Sequence, residues 1–186
     1  ERLASRHLLL TQTNQGHSMI IIINGPLGIG KSTLAEALME EMDHCVMLDG
    51  DHVIAMNPPP LDEVEYLHTT LSFLVQHHKS RGYRNFVINH IWRTPDDLDD
   101  LFRRLSDIEP DIRCFLLTLP LQENLRRIEV RQSARALDEQ TFERHTVMEE
   151  REVLYARASS GLGEELDVSA PPEALVTALL SRLGVE

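Results

Sequence analysis

Gly25, Gly30, Lys31 and Ser32 stand at the spacing G-x-x-x-x-G-K-[ST], directly after the four isoleucines 20–23 and directly before a run of helical apolar spacing at Leu34, Ala35, Leu38 and Met42. The chemistry such a junction serves is anion binding. Backbone N–H groups curl around a phosphate chain only where the chain can take positive φ or approach closely, and Gly28 adds a third position at which it can. A helix starting near Lys31 aims the positive end of its dipole at the same point. The Lys31 ammonium reaches β- and γ-phosphates, the Ser32 hydroxyl suits Mg²⁺, and Thr33 lies in the same first turn. The pattern predicts a nucleoside triphosphate site.

A second group follows in "LDGDH", residues 48–52, at the end of the apolar run "CVMLD". In open α/β sheets the carboxyl ends of strands face the ligand crevice. Asp49 and Asp51, separated by one glycine, can then point differently, one to a metal's surroundings and one to a substrate hydroxyl. The plainer alternative is an Asp-Gly turn in which Asp51 caps a short helix. The third group is Arg127, Arg131 and Arg135, which share one helix face at a spacing of four. They form either a short lid over the nucleotide or a solvent face salt-bridged through Glu123.

"GPLGIGKST" followed about twenty residues on by "LDGDH" resembles the small-molecule P-loop kinases, such as gluconate kinase, shikimate kinase, adenylylsulfate kinase and chloramphenicol phosphotransferase. The resemblance spans nearly all of residues 19–183. It implies Asp51 as the base that orients or deprotonates an acceptor hydroxyl, and Asp49 as the carboxylate on the Mg²⁺ side. It implies lid arginines, one packed on adenine and one at the transferred phosphate; Arg131 and Arg135 are preferred over Arg127, Arg135 for the catalytic role. The sequence departs from many P-loop NTPases at Asn89 and His90, where an acidic residue often ends the third strand. Metal binding then leans on Ser32 and Asp49. His90 and Arg93 are expected at the edge of the acceptor site, although His90 reads equally as a polar strand end. Arg81, Arg84 and Arg93 are candidates to grip a phosphorylated acceptor such as a nucleoside monophosphate.

Strands are expected at 19–24, 45–49, 85–92, 112–119 and 165–169. They alternate with helices at 31–42, 61–81, from Thr94 and Pro95 onward, 122–131, 139–158 and 171–184. Alternation of this kind means a parallel sheet covered on both faces. The expected fold is a three-layer α/β/α P-loop domain over 19–186, with a five-stranded parallel sheet and a short lid; residues 1–18 read as an extension outside it. Trp92 reads as a packing residue, the aspartates at 96–100 as a helix start, and His77–His78 as a solvated face.

Eighteen basic against thirty acidic residues, a net charge of −12, argue against a nucleic-acid surface, which needs clustered Lys and Arg. No apolar run approaches the roughly 20 residues that span a bilayer. Neither HExxH nor CxxC occurs, and Cys45 and Cys114 lie in apolar strand-like runs, so buried free thiols in a reducing cytosol are expected. The functional expectation is an ATP- and Mg²⁺-dependent phosphotransferase with a small-molecule acceptor. The alternatives are a regulatory nucleotide-binding NTPase and a nucleoside monophosphate or nucleic-acid end kinase.

Overall fold

A computed structural model describes residues 18–132, 137–155 and 161–185. Its centre is β1 (Met19–Asn24), every residue of which is buried. An isoleucine run of this kind has no polar face to give to water, so it must be covered on both sides. The covering follows the pleat. Met19, Ile21 and Ile23 face one hydrophobic cluster, and Ile20 and Ile22 face another. At about 1.5–3 kcal/mol for each fully buried isoleucine, this strand anchors the domain.

β2 (Cys45–Asp49), β3 (Asn85–His90), β4 (Ile112–Thr118) and β5 (Glu164–Asp167) complete a sheet of order β2-β3-β1-β4-β5. All four pairings are parallel, as expected. On one face lie α1 (Lys31–Glu41) and α7 (Pro172–Leu183), through Leu34, Leu38, Val176 and Leu179. On the other lie α3 (Glu63–Lys79) and α4 (Pro95–Ser106), through Leu67, Leu71, Leu98 and Leu101. α2 (Gly50–Val53) is a single turn after β2, while α5 (Leu121–Gln132) and α6 (Leu137–Tyr155) lie between β4 and β5 in the chain. No helix among the described residues is long and apolar enough to cross a membrane.

Register brings the strand tips level: Asn24 pairs with His90, and Asn89 sits opposite both Ile23 and Asp49. The third strand ends at His90 rather than at the expected Trp92, because its partner β1 has ended at Asn24. The Asn24 side chain takes over, accepting from Trp92 N at 3.0 Å and donating to Trp92 O at 3.0 Å. Trp92 itself is buried packing, as its sequence setting indicated. Cys45 and Cys114 are free and half-buried, and burial pushes both thiols up to about 12.

Candidate functional site

Between β1 and α1 the chain turns through Gly25–Gly30 at the carboxyl end of the sheet. Gly28 takes φ +71°, and a Cβ there would lie 2.4 Å from Ile128 Cγ1 on α5, so neither backbone nor neighbour admits a side chain. Lys31 Nζ donates to Gly25 O at 2.8 Å and Pro26 O at 3.2 Å, which folds the lysine back across its own loop. Burial pulls this ammonium below its usual range, against the opposing pull of Glu150, Asp51 and Asp49. At the N-terminus of α1, Gly30 is the capping residue; no side chain caps the helix and no acid occupies its first turn. The orphan N–H groups of that turn, on Lys31, Ser32 and Thr33, are therefore presented to the cleft.

The loop floors a cavity of about 730 Å³. At one end it meets Asp51, after β2. At the other it is walled by residues 168–172, after β5, and by Arg126 and Arg127 of α5. Arg127 ties loop to wall, with Nη1 donating to Ile29 O at 3.0 Å and Nη2 to Val168 O at 2.8 Å. It also lies 3.5 Å from Glu123, the pairing its sequence spacing indicated. The cleft thus runs across the sheet from β5 to β2, with Lys31 on its floor.

Ser32, Asp49 and Asn89 meet at the phosphate end. Ser32 Oγ donates to Asp49 Oδ2 at 3.2 Å, and Asn89 Nδ2 donates to the same oxygen at 2.8 Å. Asn89 is buried, and its Oδ1 has no hydrogen-bond partner among the described residues. The hydroxyl and the carboxylate are hard donors of the kind Mg²⁺ uses when phosphates and water complete its shell, while Asn89 turns its N–H side to them and orients Asp49. The set fits Mg²⁺ and does not form a dedicated cage: no group of three or more His, Cys, Asp or Glu suited to a metal occurs among the described residues.

Asp49 has a second job. Its Oδ1 accepts from Asp51 N at 3.0 Å, so Asp49, not Asp51, caps the short α2 and fixes where Asp51 points. Asp51 Oδ1 lies 2.8 Å from His90 Nδ1. That bond holds the Asp51 carboxyl below its ordinary range against partial burial, with the charges of His90, Lys31 and His52 acting in the same direction. Gly50 makes the pair possible, since a Cβ there would stand 2.7 Å from the His90 ring. His90 packs edge-on to Trp92 at 5.3 Å, and Trp92 Nε1 donates to Nε2 of the buried His68 at 3.1 Å. His68 must then donate through Nδ1 to Asp100 Oδ2, 2.9 Å away.

The far flank comes from α6. Glu150, 7% exposed, accepts from Leu27 N at 2.7 Å and from Arg93 Nη2 at 2.9 Å. Its neighbour Arg151 donates to Asn124 Oδ1 at 3.2 Å, and Asn124 Nδ2 donates to Leu27 O at 3.2 Å.

Gly25, Gly28, Gly30, Lys31, Ser32, Thr33, Asp49 and Asp51 therefore converge on one end of one cleft. Arg135 and the side chain of Arg131 lie outside the described residues. Arg127, ranked below them on sequence, stands in the cavity wall together with Arg126. Arg84 is at the wrong end of the sheet for an acceptor phosphate: its N donates to His44 O at the start of β2 and β3. Arg81, three residues earlier, is an exposed residue of the turn after α3, leaving Arg93 as the acceptor-side arginine among those three. Glu150, Asn124 and Asn24 carried no local signal in the sequence.

Residues 20–156 match the AAA domain family, and the chain belongs to it. No curated protein matches it by sequence. Its fold is that of a tunicamycin resistance protein from Deinococcus radiodurans, at TM-score 0.65 and 17% identity over 91% of this chain and 98% of that one. A sugar kinase from Janibacter sp. gives 0.66 and 17%, over 91% and 96% of the two chains. A gluconokinase from Sinorhizobium meliloti gives 0.63 and 17%, over 91% and 95%. The shared architecture is the P-loop small-molecule kinase-like fold with its five-stranded parallel sheet.

Proposed function

We propose that this AAA-domain chain, a single domain over 19–186, is a phosphotransferase that moves the γ-phosphoryl group of ATP to a hydroxyl of a small molecule, with Mg²⁺. The observation that carries the reading is the position of Asp51. It opens onto the cleft at the end where Lys31 and the Ser32–Asp49–Asn89 group stand, and its direction is fixed by His90 and by the Asp49 cap.

In this reading the N–H groups of 28–33 hold the α- and β-phosphates, and Lys31 leaves its carbonyl partners for the β- and γ-phosphates. Ser32 and Asp49 would hold Mg²⁺, with Asn89 orienting Asp49, and the ion's charge would neutralise the phosphates when bound. Asp51, ionised at neutral pH, orients the acceptor hydroxyl and takes its proton as the bond to phosphorus forms. Arg127 flanks the base, Arg131 stacks on it from the lid, and Arg135 meets the charge on the transferring group. Free thiols suit a cytoplasmic setting, and the acidic surface suits a small acceptor better than nucleic acid.

Asn89 supports a second reading, a regulatory NTPase, because an amide replaces the acid that often helps position water and metal at this strand end. ADP release separates the two. It should be measured with ATP and Mg²⁺ against a panel of sugars, sugar acids, nucleosides, nucleoside monophosphates, hydroxylated antibiotics and a 5′-hydroxyl oligonucleotide. Stimulation by one small hydroxyl compound, absent in Lys31→Ala, is the expected result. A slow rate indifferent to the whole panel supports the regulatory reading.

A further inference from the structure

Beside the cleft, at Leu27 of its floor, the loop already holds a carboxylate. Glu150 is nearly buried, and a buried carboxylate needs charged or N–H partners to stay ionised. Here the partners are a backbone N–H of the phosphate loop, Leu27, at 2.7 Å and a guanidinium, Arg93, at 2.9 Å. These are the two kinds of donor that grip a phosphoryl oxygen. Glu150 is also the carboxylate that acts most strongly on the Lys31 ammonium.

The direction of the cleft says which phosphate this place belongs to. The base end lies by residues 168–172 beyond β5, and the acceptor end by Asp51 beyond β2. Leu27 precedes the amides of 28–33 in the loop, and Arg93 follows β3, on the acceptor side of β1. An anion held between them is displaced from the α- and β-phosphate cradle toward the acceptor. We propose that Glu150 occupies the subsite of the γ-phosphoryl group, so that a nucleoside triphosphate must displace it while a diphosphate binds beside it; the proposal rests on the nucleotide reading of the loop.

Two consequences follow. Arg93 exchanges its partner, leaving Glu150 for the incoming phosphoryl oxygens. Because Glu150 is on α6, and because Arg151 and Asn124 hold the Leu27 carbonyl from the same side, the displacement loosens α6 from the loop only when the third phosphate is present. The triphosphate's apparent affinity is lowered by the fraction of molecules in which Glu150 holds the place, whereas the diphosphate's is not.

Calorimetry with Mg²⁺ and either ADP or the non-hydrolysable β,γ-imido analogue of ATP tests this on wild type, Glu150→Ala and Glu150→Gln. Glu150→Ala should tighten the analogue by about tenfold and leave ADP within about twofold, and adding Arg93→Ala should abolish the gain. Glu150→Gln, which keeps an oxygen for Leu27 N but loses the charge pair, should show the same bias to a smaller degree and serves if the alanine variant does not fold. The analogue, and not ADP, should increase hydrogen exchange over 145–155 in the wild type. Equal shifts for both nucleotides, or weaker analogue binding in both variants, would overturn the proposal while leaving the nucleotide reading intact. Binding of neither nucleotide to wild type, or equal binding to Lys31→Ala, would remove both.

Discussion

Two helix N-termini in this molecule are finished in opposite ways. α4 is closed: Thr94 Oγ1 accepts from Asp97 N at 3.2 Å, Pro95 takes the first turn, and Asp96 and Asp97 meet the dipole. α1 is open: Gly30 caps it without a side chain, and its first turn is Lys-Ser-Thr with no acid. Left alone, an unfinished helix end forgoes stability that a cap commonly supplies, about 0.5–2 kcal/mol. α4 is sealed by its own residues, whereas α1 leaves its donors open, as the proposed phosphate site requires.

Substitutions at the two ends should separate binding, chemistry and stability. Asp51→Asn keeps size but cannot take a proton, so acceptor phosphorylation should fall by about 10²–10⁴ while ATP binding hardly changes. Unchanged turnover would move the base elsewhere, with His90 or His52 next in reach. Lys31→Ala should weaken ATP by about a hundredfold in calorimetry with the melting transition preserved, since among the described residues Lys31 hydrogen-bonds to loop carbonyls. Thr33→Asp places an acid in the first turn of α1. It should stabilise the empty protein by about 0.3–1 kcal/mol in denaturant unfolding, yet weaken ATP by about tenfold. Gains in both stability and ATP affinity would show that this end is not a phosphate site. Thr94→Ala, at the sealed end, should cost about 1 kcal/mol of stability and leave nucleotide affinity unaltered.

How much of this was legible in the sequence depended on distance along the chain. The phosphate loop, the Asp-Gly-Asp turn and the strands and helices around them are contiguous, and their residue types are dictated by local geometry. The Asp51–His90 pair spans 39 residues, and the Leu27–Glu150 bond spans 123. No local pattern marks either one. Arg127 shows the intermediate case: its spacing from Glu123 announced a surface ion pair, which exists, but not the two carbonyls that place it in the cavity wall. The apolar pattern runs on through Trp92, two residues past the end of β3, because a strand ends where its partner β1 ends and not where the apolar residues do. Either carboxylate of the Asp-Gly-Asp turn satisfies the pattern of a helix cap, so the sequence leaves open a cap by Asp51, whereas in the structure Asp49 caps α2.

In the proposed reaction the open helix end holds a triphosphate whose last phosphoryl group passes to a hydroxyl at Asp51. Phosphorus NMR of ATP, Mg²⁺, the protein and the acceptor that stimulates ADP release tests it most directly. A new phosphomonoester resonance should grow in step with ADP, with little inorganic phosphate, and be lost in Asp51→Asn. Inorganic phosphate equal to ADP, with no phosphomonoester under any acceptor of the panel, would contradict it.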